Sequence, residues 1–421
     1  MGPQGESRSS DWLLSTHAGL IGHSCRRAGS ALRVGGRAPV GPTPTRECAG
    51  FRFVLRRRAT TLFEIDNGKV QLQGGLAEHR KRALPAGLRA NLRRKVDFLR
   101  APESYPEACS HVDVVETHMA FVFLTASHAY KLKKPVRYDF LDFSTIEARR
   151  RDCELEVQLN RRLAENVYLG VVGLSLTSAG QLSLNGEGRK VDWLVKMRRL
   201  PADRMLDVAI AEATVTDEDV RRVAGVLAEF YRSAPVADIA PAWYSERVER
   251  DLRDNLKELC RSAFGLDALC IGRTGAAQMS FLHREARQLD ERVRQGHVVD
   301  GHGDLRPEHI CLLPEPVIID CIEFNEEFRV VDAADEIAFL ALECEWLDAA
   351  DIGERFIGAY RELAADDVPT KLMDFYTSSR AILRAKLAAW HTDDPEVDDH
   401  AAWLEQSRKY LELAQAHARS L

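Results

Sequence analysis

The stretch that decides the fold is "HGDLRPEHICLLPEPVIIDCIEF", residues 302–324. Within it, "HICLL" and "VIID" read as two short apolar strands joined by a Pro-Glu-Pro turn at 314–316. The loop before this hairpin and the residue after it lie at its open end, so Asp304 and Asp320 are expected to converge. Phosphoryl transfer needs one carboxylate to accept an alcohol proton and another to hold Mg²⁺ on phosphates. The spacing therefore predicts a site with that chemistry.

A second informative stretch, "HVDVVETHMAFVFLTASHAYKLKKPV", covers residues 111–136 and is rich in Val, Phe, Tyr and Thr. This composition predicts three successive antiparallel strands, divided at Thr117–His118 and again near Ser127. Side chains alternate between the two faces of a strand, so Lys131 and Lys133 are expected to point to the same face. Either lysine could hold the phosphates of a nucleotide, and the spacing does not choose between them.

A helix is predicted directly after these strands. The segment "STIE" at 144–147 has the form of a capping box, with Ser144 as the N-cap and Glu147 reaching back to it. The helix that follows places Glu156 beside its apolar stripe. From this position Glu156 could fix one of the strand lysines by an ion pair, or serve as an ordinary surface acid.

The wider layout indicates an α+β fold with two lobes. A small antiparallel-sheet N-lobe with one helix is predicted over residues 84–200, and a larger, mainly helical C-lobe over 201–421, broken only around 298–325. Residues 1–83 are predicted to form a disordered, Arg-rich N-terminal extension. Its first 60 residues hold ten Arg, no Lys and three acidic residues, which is also typical of an organelle transit peptide.

Composition excludes several classes of function. The chain has 421 residues and a net charge of -6, and residues 301–421 hold 26 acidic and 11 basic side chains. An acidic C-terminal third predicts no nucleic-acid partner and favours a cationic or metal-chelated ligand, or simply solvated helix faces. No apolar run is long enough to span a membrane. The nine scattered cysteines predict a reducing, cytoplasmic location without disulfides or structural zinc.

These segments together resemble a known family. "HGDLRPEHICLL" and "VIIDCIEF", with "ETHMAFVFLTASHAYKLKKPV" and "VKMRRLP", are similar to the aminoglycoside phosphotransferase-like family, which shares the protein kinase fold. The resemblance covers roughly residues 86 to 415 and is strongest to a poorly characterised branch that is sometimes fused to a P-loop ATPase. No GxxxxGK[ST] pattern occurs in the sequence, so we expect the stand-alone form.

The resemblance implies a role for each candidate residue. Asp304 would be the catalytic base, and Asp335 would support the catalytic loop. ATP and Mg²⁺, with Mn²⁺ as the alternative ion, would be the cofactors, and the partners would be this nucleotide and a small-molecule acceptor. The acceptor and the oligomeric state are not predicted. Metal binding is expected at Asp320 and His309, and nucleotide binding at Lys131 (with Lys133 as the alternative), Glu156, Thr117, His118 and Met197.

His309 departs from the family pattern H-G-D-x-x-x-x-N, which carries Asn at this position. Imidazole nitrogen is a poor ligand for Mg²⁺ and a better one for Mn²⁺, Zn²⁺ or Ni²⁺. His309 could therefore bind a softer metal, leave the metal to Asp320, or mark an inactive enzyme. We expect an active enzyme with one main metal on Asp320 and a relative gain with Mn²⁺.

Three classes of function remain open at this point. The first is an ATP-dependent phosphotransferase that acts on a hydroxyl of a small molecule. The second is a pseudokinase, which binds nucleotide or a partner without turnover. The third is a metal-dependent hydrolase that would use His302, Asp304, His309 and Asp320. A kinase or nucleotide-binding protein needs the lysine strand with its helix glutamate, and a hydrolase does not. The presence of both features therefore places the hydrolase last among the three hypotheses.

Overall fold

The structure of the protein is a computed structural model that describes residues 63–66, 69–72, 86–138, 141–394, 397 and 399–421. The predicted disordered extension, residues 1–83, lies outside the described residues except for a short antiparallel strand pair. This pair joins Phe63–Asp66 to Lys69–Leu72. Disorder in the rest of the extension stays a prediction. The residues described from 86 onwards all belong to one compact unit.

The N-lobe is built on a six-stranded antiparallel sheet. The six strands are β1 Asp113–Glu116, β2 Ala120–Leu124, β3 His128–Lys133, β4 Tyr168–Leu176, β5 Leu182–Leu184 and β6 Arg189–Arg198. Their order in the sheet is β1-β2-β3-β6-β4-β5, so the predicted three-strand meander is confirmed and β6 then pairs with β3. A minor pair, Arg137–Tyr138 with Leu141–Asp142, follows the meander.

Alternation along β3 assigns its two faces to two helices, α1 (Ala86–Arg100) and α2 (Ile146–Ala164). Tyr130 and Leu132 join an apolar cluster that includes residues of α1. The opposite face, which carries the two lysines, is turned toward α2, whose apolar residues pack with β2 and β6. The sheet therefore separates an apolar layer from the layer that contains charged groups.

The start of α2 differs from the prediction by one residue. Thr145, rather than Ser144, is the N-cap, and its hydroxyl accepts a hydrogen bond from the backbone N–H of Ala148 at 3.1 Å. The Ser144 hydroxyl instead bonds to Asp142. Ser and Thr are both favoured N-cap residues, so residue preference does not distinguish two neighbours of these types. The backbone path into the helix then determines which of them is the N-cap.

The C-lobe is mainly helical with two short strand pairs in the predicted break, and the α+β class is confirmed. The strands are β7 Val298–Asp300, β8 Ile310–Cys311, β9 Val317–Ile318 and β10 Val330–Asp332. Strand β7 pairs with β10, and β8 pairs with β9 to form the expected hairpin. The helices are α3 Leu206–Ala211, α4 Asp217–Ser233, α5 Pro241–Leu259, α6 Ala268–Arg294, α7 Ala333–Trp346, α8 Ala350–Ala364, α9 Thr370–Trp390 and α10 His400–Ala418.

None of the helices in the described part of the chain is both long and apolar enough to cross a bilayer. The cysteines in that part are free thiols. Helix α7 is buried on nearly all sides and packs against α8, α9 and β10. The catalytic-loop candidate, residues 302–309, contacts this helix through Glu336, and the hairpin after the loop leads to Asp320, which contacts Lys131 of the N-lobe.

Candidate active site

Glu156 binds both strand lysines, one with each carboxylate oxygen. Lys131 Nζ lies 2.9 Å from Glu156 Oε1, and Lys133 Nζ lies 2.6 Å from Glu156 Oε2. The lysines are 3% and 1% exposed, and both point from β3 toward α2 as predicted. Buried charges are tolerated only when paired, so this three-residue contact ties the sheet to α2.

Lys131 differs from Lys133 because it also reaches the C-lobe. Its Nζ lies 3.1 Å from Asp320 Oδ1. Burial acts to lower the pKa of Lys131, but the carboxylates of Asp320 and Glu156 outweigh it, and the pKa lies above its usual value. Lys131 is therefore a permanent cation that joins the strand, the helix and the predicted metal segment.

Lys133 lies among three carboxylates, those of Asp152, Glu156 and Glu323. The oxygens of these carboxylates are within 4.8 Å of one another, close enough for a metal ion, but the Lys133 ammonium already lies among them. Burial raises the pKa of Asp152 to about 8, against the opposing effect of Lys133. The contacts indicate that Lys133 neutralises this acidic group, while Lys131 has the position expected of a phosphate-binding lysine.

Asp320 has a left-handed backbone conformation, with φ of 67°. Asp tolerates this region better than most residues, but the conformation persists only where neighbours fix it. Its backbone N–H donates to the Tyr168 hydroxyl at 3.1 Å, and the N–H of Cys321 donates to Asn160 Oδ1 at 2.8 Å. Neither Tyr168 nor Asn160 was identified from the sequence, although Asn160 lies one helical turn after Glu156.

The predicted convergence of Asp304 and Asp320 takes place around the ring of His309. His309 Nδ1 lies 2.8 Å from the backbone oxygen of Asp304, and Nε2 lies 3.5 Å from Asp320 Oδ2. The ring is fully buried. The residue that departs from the family pattern is thus the one that separates the two carboxylates.

Arg306 is a buried cation of the same loop that sequence reasoning did not single out. It is 1% exposed, and its Nε lies 3.1 Å from Asp304 Oδ1. Its Nη2 lies 3.2 Å from His309 Nε2, and Nη1 pairs with Glu308. Its position between Asp304 and His309 in the motif could have identified it, because a charged side chain there must pair with other groups of the loop.

His302 has a structural role. Its Nε2–H donates to the backbone oxygen of Ile319 at 2.9 Å, and its Nδ1 accepts from the backbone N–H of Asp304 at 3.2 Å. Burial lowers the pKa of His302 to about 3, so the ring is neutral. Both ring nitrogens are engaged by the backbone, which removes support for the hydrolase metal set that included His302.

The loop is supported by Glu336, and the expectation for Asp335 was wrong. The Glu336 carboxylate accepts from the backbone N–H groups of His302, at 3.0 Å, and Gly303. Gly303 has φ of 88°, a conformation that favours glycine and turns both N–H groups toward one acceptor. Asp335 instead forms a bidentate ion pair with Arg380, with both distances 2.8 Å. Asp335 and Glu336 are adjacent acidic residues in one helix, and the sequence gives no signal for which of them supports the loop.

The remaining predicted nucleotide residues lie at two edges of the N-lobe. Thr117 forms the β1–β2 turn, where its hydroxyl accepts from the backbone N–H of Ala120 at 3.0 Å. His118 stacks on His391 of the C-lobe, with ring centroids 4.4 Å apart. Met197 is 2% exposed near the end of β6 and belongs to the apolar cluster beside α2. Nucleotide contacts of these three residues stay predictions.

Comparison with known sequences finds relatives without an assigned activity. None of the known protein-family models matches the chain. Uncharacterised proteins of Mycobacterium tuberculosis and Mycobacterium bovis are 34% identical to it over 298 residues. This match covers 66% of the chain and 54% of each relative. The chain therefore spans about half the length of the curated relatives it matches.

Comparison with solved structures finds small-molecule kinases at low identity. A choline/ethanolamine kinase family protein from Mesorhizobium loti has a TM-score of 0.43 and 14% identity, covering 79% of this chain and 100% of that one. A choline kinase from Cryptosporidium parvum gives 0.44 and 11%, over 79% and 96%. The aminoglycoside phosphotransferase APH(4)-Ia, in a thermostable mutant form, gives 0.41 and 11%, over 72% and 95%. Similarity at this level carries no conclusion about activity.

Proposed function

We propose that this protein is an ATP-dependent phosphotransferase that transfers the γ-phosphate to a hydroxyl group of a small molecule. The observation that carries the proposal is the Lys131 ammonium, which lies 2.9 Å from Glu156 Oε1 and 3.1 Å from Asp320 Oδ1. A phosphate-binding lysine, its helix partner and a metal-binding carboxylate must meet in this way for nucleotide phosphates to be held beside a divalent ion.

Each of the site residues has a proposed task. Asp304 orients the acceptor hydroxyl and accepts its proton, a role for which its carboxylate needs only a fixed position. Lys131, held by Glu156, binds the phosphates. Asp320 holds Mg²⁺, since a carboxylate oxygen is the ligand that this hard ion prefers. The bound ion would neutralise charge on the phosphates as the phosphoryl group leaves.

The acceptor is proposed only by class. The C-terminal third of the chain, which supplies the loop and the helical lobe, has 26 acidic and 11 basic residues. This charge favours an acceptor that carries an amine, such as an amino sugar or an amino alcohol, over an anionic acceptor. Many buried acids are already paired within the lobe, as Glu343 is with Arg384, so exposed acids would supply the attraction.

A second candidate is a nucleotide-binding protein without turnover. The observation that favours it is His309, whose imidazole occupies the loop position next to Asp320 where an amide oxygen would bind metal in the resembling family. The contacts of Lys131 with Glu156 and Asp320 support the active enzyme, which we therefore rank first.

The test is ATP turnover across a panel of hydroxyl compounds, amine-bearing ones first, with Mg²⁺ and with Mn²⁺. Nucleotide binding is followed in parallel by thermal shift. Turnover that depends on both a divalent ion and an acceptor supports the enzyme. Binding of ATP without turnover on any acceptor, with either ion, would replace it by the second candidate.

A further inference from the structure

The two ring nitrogens of His309 have different partners, and these partners fix its tautomer. Nδ1 faces the backbone oxygen of Asp304 at 2.8 Å, and a carbonyl oxygen only accepts, so Nδ1 carries the proton. Nε2 is then the ring nitrogen that could offer a lone pair to a metal, and Asp320 Oδ2 lies 3.5 Å from it. The guanidinium of Arg306, which only donates, lies 3.2 Å from Nε2. The lone pair that could bind a metal beside Asp320 is thus the one that accepts from Arg306.

Arg306 is held in this position by further contacts. It is 1% exposed, its Nη1 pairs with Glu308, and its Nε lies 3.1 Å from Asp304 Oδ1. Moving the guanidinium away would leave two carboxylates without their cation, which is costly in a buried site. Arg306 also carries a fixed positive charge that opposes a second cation at the same place.

We propose that Arg306 keeps His309 out of metal coordination, so that the site takes a single divalent ion on Asp320. Arg306 is a positioning residue in this arrangement, because it orients the carboxylate of Asp304 and the ring of His309 at once. Its guanidinium supplies the positive charge where a second metal ion would otherwise lie. The inference rests on the proposed function only in locating the metal at Asp320, and it replaces the expectation that His309 confers a preference for Mn²⁺.

The first test compares the untagged full-length protein with its His309→Leu variant in a titration with Co²⁺ alone. Leucine offers no ligand atom, and the visible absorption of Co²⁺ changes in position and intensity when an imidazole nitrogen stops being a ligand. The proposal expects the same spectrum and the same dissociation constant for both proteins. A spectrum that changes, or an affinity that falls, on His309→Leu in the otherwise natural protein would overturn the proposal.

The second test uses Arg306→Met, which removes the guanidinium that faces the Nε2 lone pair of His309. Co²⁺ affinity should rise on the order of 10–100-fold, the range by which one supporting contact changes metal affinity. The gain and its new absorption should both disappear in Arg306→Met combined with His309→Leu. Arg292→Met is the matched control, because this buried arginine pairs with Asp332 and Asp366 and should leave Co²⁺ binding unchanged.

A folded Arg306→Met protein that gains no Co²⁺ affinity would contradict the proposal, and circular dichroism with thermal unfolding establishes that it is folded. Where the variant does not fold, the comparison of the natural protein with His309→Leu decides alone. Neither titration uses a nucleotide. Absence of ATP turnover would therefore overturn the proposed function and leave the metal inference standing.

Discussion

The Lys131 ammonium lies 3.1 Å from the Asp320 carboxylate, and the two residues are 189 positions apart in the chain. This buried ion pair crosses from strand β3 to the segment after β9, so the N-lobe and the C-lobe meet at a charged contact. An ion pair in such a place is weak evidence for stability, because desolvation offsets much of the attraction. Its position is better explained by a ligand that needs both charges.

Asp304→Asn should separate chemistry from binding. The amide retains the shape of the side chain but cannot accept the acceptor's proton, so turnover should fall by about 10²–10⁴. Nucleotide affinity should stay close to that of the natural protein, as measured by thermal shift with ATP and Mg²⁺. Asp320→Asn is the matched variant and should remove metal-dependent nucleotide binding first. Loss of nucleotide binding in Asp304→Asn would mean that Asp304 holds the metal.

Lys131→Met and Lys133→Met form a second matched pair. Lys131→Met should weaken nucleotide binding far more than Lys133→Met does, since only Lys131 also contacts Asp320. Lys133→Met leaves three carboxylates without their shared cation and should lower the free energy of unfolding by about 3–5 kcal/mol. Chemical denaturation and nucleotide titration measure the two effects. Equal losses of affinity in both variants would show that both lysines bind the phosphates.

Glu336→Gln should reduce activity through the catalytic loop. The Glu336 carboxylate accepts hydrogen bonds from two loop N–H groups and from the Tyr231 hydroxyl, which lies at 2.8 Å. In Gln the NH₂ group would replace one accepting oxygen and face one of these donors, so that hydrogen bond would be lost. A shift of the loop by about 1 Å costs on the order of 10²-fold in rate. The control is Asp335→Asn, which breaks the contact with Arg380 and should change stability more than turnover. A larger loss of turnover in Asp335→Asn than in Glu336→Gln would show that Asp335 supports the loop.

His417 should make stability depend on pH. Its Nε2 lies 2.8 Å from Glu345 Oε2 and its Nδ1 lies 3.3 Å from Asp374 Oδ1. Burial acts to lower the pKa of His417, but the bonds to Asp374 and Glu345 raise it to about 9. The folded state therefore binds the proton more tightly than the unfolded chain does. The stabilisation is complete below about pH 6.5 and is lost as the pH rises through about 9.

Denaturation curves at about pH 6 and about pH 9.5 measure this contribution. His417→Asn should lose stability at the lower pH and change little at the higher one. His400→Asn, at an exposed histidine that begins α10, is the control and should change little at either pH. A His417 variant with the same loss at both pH values would show that the contact acts without the proton.

Local patterns explain which parts of the fold could be predicted. Alternation in 111–136 and the turn at 314–316 are short-range signals, and both produced the expected strands. The convergence of Asp304 and Asp320 could be predicted from this local hairpin alone, without information from the rest of the chain. The shared face of Lys131 and Lys133 follows from the strand period alone.

Contacts that depend on the packing of distant segments were not predictable. Asn160 binds the backbone after Asp320 across 161 positions, and no local pattern marks its partner. The Nε2 of His302 donates to the backbone oxygen of Ile319, 17 positions away, which only the fold of the hairpin brings near. The choice between Asp335 and Glu336 depends on the rotation of α7 against the loop, which the sequence of a helix buried on nearly all sides does not reveal.

The stacked rings of His118 and His391 have a consequence for nucleotide exchange. The turn that carries His118 would cover the phosphates, and His391 also stacks on Trp403 of α10, with ring centroids 3.5 Å apart. Release of product under a turn in that position would require the three-ring stack to separate first. The residence time of the spent nucleotide would then be set by aromatic contacts of the last helices, at a distance from the groups that carry out the chemistry.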